Sequence, residues 1–348
     1  MTVHPRTSCP NRCVYCYVQD LGLDFRDAKP SRLSGEELVF SLVSNPWFLP
    51  GRMGTFLAFG SLCDPFHPSC VEKTIDFMVA VAGKLKNPCQ FSTKMYLSEK
   101  TVERLSKIDG LSLSPLITIT SLEKAHLLEP HASPPEKRME SISHLKAAGF
   151  KPLLFLRPII PGVTDQEIDH ILRRAKKAGA VGVVFGSLKV SQNILARLEQ
   201  TGIDLKTTLK EENLSLEGDK LVPIPTIEFK KKAVHTAKER GLIPFLSTCC
   251  ANAYTAQVPC MSLCWTTHFC TQCPNNCPHK IPDIPKEGIA RTIRFLSRRE
   301  PKRIRLEDQK ITVYLPDSRR TKNVRKHGHM LQVAARKRVK IAQVRAFR

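Results

Sequence analysis

From Thr2 to about Gln200 short apolar runs alternate with amphipathic stretches. The runs at 55–59, 90–93, 116–120, 153–156 and 181–185 read as strands. Helices are predicted between them. Their starts are marked where a hydroxyl precedes a glutamate by three residues, at Ser34/Glu37, Ser69/Glu72 and Thr164/Glu167, the pattern of a capping box. Pro46, Gly83, Gly149 and Gly179 supply the stops. Strands separated by helices pair in parallel, each helix crossing back over the sheet. The pattern therefore predicts an α/β chain with an open or partial βα barrel over residues 1–200, whose working end is the set of loops following the strands.

Past that point the rhythm changes. The runs 214–216 and 221–224 flank Gly218-Asp219 and read as a hairpin. A basic helix over 229–240 stops at Gly241 and leads into a cysteine-rich region that closes a second segment, 201–285. The third segment, 286–348, opens with a helix near 287–298 and a hairpin of 304–306 with 311–315. Beyond Pro316 the chain is basic and polar, and no regular structure is expected.

The 348 residues suffice for a substantial core. Lys and Arg number 54 against 32 Asp and Glu, a formal +22. The excess is uneven: residues 286–348 hold 20 against 5, a net +15, and the rest of the chain 34 against 27. No apolar stretch nears the ~18 residues of a membrane-spanning helix, and nothing before Cys9 reads as a secretory leader. With 13 cysteines and no export signal, the expectation is a reducing, cytoplasmic location, where cysteines bind metal or do chemistry rather than form disulfides.

Cys9-Pro-Asn-Arg-Cys13-Val-Tyr-Cys16 is a C-x3-C-x2-C run directly after a first strand. Thiolates are soft ligands for iron–sulfur clusters or zinc. Zinc normally wants a fourth protein ligand, whereas a cluster on three cysteines leaves one iron open. The spacing resembles the signature of the radical S-adenosylmethionine superfamily. That resemblance implies a partial (βα)6-type barrel and a 4Fe–4S cluster on Cys9, Cys13 and Cys16, its open iron chelated by S-adenosylmethionine. It also implies an electron donor such as flavodoxin or ferredoxin, and a 5′-deoxyadenosyl radical that abstracts hydrogen from the substrate.

Further blocks narrow it. Cys13-Val-Tyr-Cys16-Tyr17, Gly60-Ser-Leu-Cys-Asp-Pro-Phe-His-Pro68, Ser92-Thr-Lys94, Leu128-Glu-Pro130 and Arg157-Pro-Ile-Ile-Pro-Gly162 resemble, in order, the spore photoproduct lyase-like group. The likeness implies that Lys94 contacts the cofactor's carboxylate, that Thr118 or Thr120 supplies hydroxyl contacts, and that Arg157 and Ile160 belong to the segment lining the adenine pocket. It puts Tyr15 and Tyr17 at the positions of a hydrogen-atom relay. Cys63 stands one place nearer the aspartate than the family's hydrogen-donor cysteine, which leaves three roles open: donor, cofactor contact or small buried residue. A lyase for spore DNA lesions is therefore not expected.

Cys249, Cys250, Cys260, Cys264, Cys270, Cys273 and Cys277 crowd into 29 positions, with His268 and His279 nearby. Short chelating pairs in such density predict a second metal site, an iron–sulfur cluster or zinc, in a region expected to shape or cover the open end of the barrel. The last segment's paired cations, such as Arg298-Arg299 and Arg336-Lys337-Arg338, suit a phosphate backbone, and its few aromatics argue against base stacking. The expected function is a radical enzyme, lyase-like or modifying, that acts on a nucleotide in RNA or DNA, with nucleic acid held by the basic extension. The alternatives are a radical peptide- or protein-modifying enzyme with an auxiliary cluster, and a non-catalytic, zinc-stabilised nucleic-acid binder.

Overall fold

The computed structural model describes residues 1–23, 29–263, 266, 270, 272–316 and 319–344. Six strands, β1 (Thr2–Val3), β2 (Leu57–Phe59), β3 (Cys89–Thr93), β4 (Leu113–Thr118), β5 (Leu153–Ile159) and β6 (Gly182–Ser187), lie side by side in chain order. A two-stranded patch follows, β7 (Lys189–Val190) with β8 (Val222–Pro223). The chain then returns as β9 (Ile243–Phe245) to complete a seven-stranded sheet beside β6, every pairing parallel. The crossovers carry α1 (Gly35–Val43), α2 (Val71–Lys84), α3 (Glu99–Ser106), α4 (Ala125–Leu128), α5 (Pro135–Ala147) and α6 (Thr164–Ala178). After β7 come α7 (Gln192–Glu199) and α8 (Lys206–Glu211), and before β9 comes α9 (Ile227–Glu239).

Alternation along the strands divides the core. Ile117, Leu154, Leu156, Val183 and Phe185 join the large core beneath α5, α6 and α9. Their neighbours Leu116, Leu153, Phe155 and Val184 face the other way and meet Phe245 and Ala251. Strands buried on both faces read as unbroken apolar runs, which is why the pattern found them. Ala251 belongs to α10 (Thr248–Ala256), so this helix packs against the inner face. Its end reaches the N-terminal side of the strands, where Arg52 Nη2 donates to Ala256 O at 3.3 Å. The described residues of the second cysteine region thus sit at the end of the barrel opposite the strand-exit loops and, contrary to expectation, do not cover the mouth. Ala253, Val258 and Cys260 need an apolar partner, and Phe56, just before β2, supplies it there.

Three local expectations also change. Ser34 and Glu37 form the predicted capping box. Glu72 instead pairs with Arg104 at 2.7 Å, and Glu167 reaches Ser121 and the Leu122 amide, so neither closes a cap. Segment 221–224 pairs with β7, not with 214–216. Beyond Pro316, the chain folds. After α11 (Lys286–Ser297), strands β10 (Arg303–Leu306) and β11 (Lys310–Pro316) form the predicted hairpin. Then α12 (Arg319–Lys326) and α13 (Gly328–Ala335) lead to β12 (Arg338–Val344), which pairs in parallel with β11. Ile293, Ile311, Val313, Leu315 and Val324 form a separate small core there.

Candidate active site

The Cys9–Cys16 loop follows β1 and lies at the C-terminal rim of the sheet. Arg12 takes a left-handed φ of 44° to turn it. From α7, Arg197 clamps the loop: Nε donates to Val14 O at 2.9 Å and Nη2 to Cys16 O at 3.2 Å, while Asp20 accepts from both terminal nitrogens. Cys9, Cys13 and Cys16 line one cavity of about 150 Å³, shared with Cys63, Asp64 and Lys94. Burial pushes the Cys9 thiol up to about 11 and the Cys13 thiol higher still. Thiolates here therefore call for a cation close by.

Asp64, 5% exposed, organises this cavity. Its Oδ1 accepts from Thr93 Oγ1 at 2.6 Å and Phe66 N at 3.1 Å, and its Oδ2 from Lys94 N at 2.8 Å and Asn11 Nδ2 at 3.1 Å. One carboxylate joins the cysteine loop, the β2 exit and the end of β3. Beside it, Cys63 is buried and hydrogen-bonded to Cys70, which together with burial pushes its thiol up; the same bond lowers Cys70. Behind the cavity, Tyr15 is buried, donates to Glu129 and lies 3.4 Å from Thr120 Oγ1. Glu129 pairs with Arg138, itself 1% exposed and bonded to Thr118 O at 3.1 Å. Lys94 Nζ stands 5.6 Å from the centre of the Tyr15 ring. Burial opposes its charge, but Cys13 and Glu129 outweigh that and hold the ammonium above its ordinary value.

The fold does not gather the remaining candidates so closely. Thr118 is buried, with Leu116, on the inner-face side of β4. Ile160 packs with Cys13 and Tyr15 and donates its amide to Thr164 Oγ1 at 3.0 Å. Arg157 is exposed and lies across Gly186 of β6, where a Cβ would overlap it. Tyr17 is 40% exposed and outside the cavity. Asp64 and Ser92 line the cavity although the sequence motifs that contain them assign them no role, and Arg197 carries no signal in the sequence at all. The signal at Asp64 is a carboxylate directly at a strand exit.

At the far end, Cys249 and Cys250 begin α10. Burial pushes the Cys273 and Cys277 thiols up, and Cys260 and Cys270 add to that shift. Among the described residues no three His, Cys, Asp or Glu side chains converge on one point that could hold a metal. Cys264 and His268 lie outside the described residues. On the C-terminal sheet, Ile304, Ile311, Val313, Val339 and Ile341 turn to the small core, leaving Arg303, Arg305, Lys310, Arg338 and Lys340 on the opposite face. No helix among the described residues is long and apolar enough to cross a membrane.

With a three-thiol loop, a buried carboxylate and a lysine at the exit rim of an open parallel sheet, the fold is similar to that of spore photoproduct lyase. A cysteine-to-serine variant of spore photoproduct lyase matches with a TM-score of 0.53 and 16% identity, over 71% of this chain and 76% of that one. A double variant with bound AdoMet and dinucleoside spore photoproduct gives 0.52, again at 16% identity and over 71% and 76%. At that identity the likeness is one of fold. Uncharacterized proteins of Mycobacterium tuberculosis and Mycobacterium bovis are 23% identical over 198 residues, 53% of this chain. The match spans 58% of the length of each of these relatives. No family model matches the chain.

Proposed function

We propose that this chain is a radical S-adenosylmethionine enzyme that modifies or repairs a nucleotide within RNA or DNA. The observation that carries it is the sharing of one cavity by Cys9, Cys13, Cys16 and Lys94. The residues fit the group: three soft thiols stand beside a cation, and in the same loop Ser8 Oγ and Asn11 Oδ1 are buried without a hydrogen-bond partner. Cys9, Cys13 and Cys16 would hold a 4Fe–4S cluster, which would supply one-electron reductive chemistry toward S-adenosylmethionine. Lys94 offers its ammonium to the cofactor's carboxylate, and Asp64 fixes the Lys94 backbone for that purpose. Thr120 and Glu129 hold Tyr15 against the back of the cavity. Cys63, on the cavity wall with a raised thiol, keeps its proton at neutral pH and is placed to offer a hydrogen atom.

Support for nucleic acid comes from the cationic face of the C-terminal sheet, which suits a row of phosphates. A flavodoxin or ferredoxin as electron donor, and a second metal on the clustered cysteines, belong to the same proposal. Anaerobic reconstitution with iron and sulfide is expected to give a brown protein that, once reduced, releases 5′-deoxyadenosine from S-adenosylmethionine. Cys9→Ser, Cys13→Ser and Cys16→Ser should each abolish that release. A wild-type protein that binds only zinc at this loop overturns the proposal.

A further inference from the structure

Several arginines have evident structural partners. Arg138 pairs with Glu129, and Arg197 with Asp20. Arg336 of the C-terminal unit is buried and donates to Val333 O at 2.7 Å and to Gly54 O at 3.3 Å, which pins that unit to the segment before β2. Arg157 differs. It is the one exposed residue of β5, and among the described residues no carboxylate pairs with it and no hydrogen bond holds its guanidinium. Leu153 and Phe155 turn to the inner face of the sheet, and alternation puts Arg157 on that face two residues further on, at the exit end. Its stem lies over Gly186 of β6, where any side chain would overlap Arg157 Cγ and Cδ. The glycine leaves a bed for a long cation at the mouth of the barrel.

A second cation stands at the next residue. Ser187 closes β6 at the exit rim; its Oγ accepts from Lys230 Nζ at 2.7 Å and lies 2.7 Å from Thr226 Oγ1. Thr226 precedes α9, and Lys230 belongs to the start of that helix. Lys230 is half-buried and has no carboxylate partner either: Glu228, the acid of the first turn, pairs with Lys231 at 2.7 Å. Burial, and then the charge of Arg157, hold the Lys230 ammonium below its ordinary value. Like charges gathered at a half-buried rim repel, and an anion between them relieves both. A guanidinium, an ammonium and two hydroxyls are a donor set that suits phosphate, the first through paired parallel bonds and the second as a point charge.

We propose that Arg157 and Lys230, with Ser187 and Thr226, form a subsite at the β5–β6 exit that takes a phosphodiester of the substrate. This rests on the reading of a nucleic-acid substrate given above and deepens it by naming the group held at the mouth. The subsite shares the exit rim with the Cys9–Cys16 loop but is built from the other half of the sheet, so it faces the opening from the side away from β1, β2 and β3. Arg157 then binds substrate and does not belong to the adenine pocket that the family resemblance implies.

Calorimetric binding of dinucleotides to the full-length protein tests it. A dinucleotide with the natural phosphodiester is compared with the same dinucleotide carrying a neutral methylphosphonate link. The wild type should prefer the charged link by about 10-fold or more, the scale of a charge-assisted hydrogen bond. Arg157→Gln and Lys230→Gln should each erase most of that preference, and Arg157→Lys should keep part of it. The Arg303→Glu/Arg305→Glu variant, altered on the C-terminal sheet, should keep all of it. Affinity for S-adenosylmethionine should be equal in the wild type and Arg157→Gln. A wild type indifferent to the charge of the link, a preference that survives both glutamine variants, or S-adenosylmethionine binding lost in Arg157→Gln overturns the subsite. Retardation of tRNA by the wild type separates the two levels. If the link's charge is ignored while retardation persists, the subsite alone falls; if both are missing, the nucleic-acid reading falls with it.

Discussion

Asp64 and Glu129 show how differently two buried carboxylates serve one cavity. Asp64 meets four donors and no cation, so it aligns backbone. Glu129 is fully committed to Arg138 and Tyr15. Burial alone would raise its proton affinity, but Arg138, Lys94 and the Tyr15 hydroxyl overcome that and hold the carboxyl below its ordinary 4.5. A carboxyl lowered in the fold binds fewer protons than in the unfolded chain, so its stabilisation is complete above 4.5 and drains away as pH falls through the folded value. Glu129→Gln leaves Arg138 buried without its charge partner, and the expected cost is about 3–5 kcal/mol at neutral pH. Urea midpoints measured from pH 7 to pH 3 check this: the gap between wild type and variant should shrink as the acid range is entered.

Among the elements, α10 decides the architecture. Ala251 lies at 0% exposure between Leu116, Phe155, Val184 and Phe245, and a larger side chain has nowhere to go. Ala251→Leu is therefore expected to cost about 1–3 kcal/mol and to lower the melting temperature, while binding of S-adenosylmethionine at the opposite rim persists, which calorimetry would read. Much of the barrel was legible because each parallel strand is buried on both faces, as at Leu153–Leu156 and Val183–Phe185. The cysteine loop was legible because thiol spacing is local. β12 was not, since in Arg338-Val-Lys-Ile every second residue is a cation and the apolar partners of Val339 and Ile341 lie a long way off in sequence, on β11. Asp64 escaped for a similar reason: three of its four partners come from other segments. The caps at Glu72 and Glu167 failed because Arg104 and Ser121 made tertiary bids for those carboxylates.

At the scale of the whole molecule, charge and chemistry are separated. The apolar alternation of β10–β12 is used up by the small core, which forces Arg303, Arg305, Lys310, Arg338 and Lys340 onto a common outer face. Trp47 of the barrel stacks on His327 with ring centres 5.2 Å apart, and Arg336 pins the same unit from beneath. An Arg303→Glu/Arg305→Glu variant is expected to weaken retardation of tRNA or duplex DNA and to flatten its salt dependence, by about one log–log slope unit for each phosphate no longer neutralised. Cofactor cleavage in the absence of nucleic acid should be unaltered. Retardation equal to that of the wild type at every ionic strength would remove the sheet face as the grip.

The anchoring of the basic unit beside Gly54 carries a geometric demand. Gly54 precedes β2, whereas Cys63 and Lys94 stand past the ends of β2 and β3, so the handle and the blade are mounted on opposite rims. A seven-residue strand such as β5 measures roughly 23 Å at about 3.3 Å per residue. On the proposed function, a polymer gripped at one rim would have to run along the outside before any of its units could enter the cavity, and a fragment shorter than the barrel is deep would gain nothing from the grip.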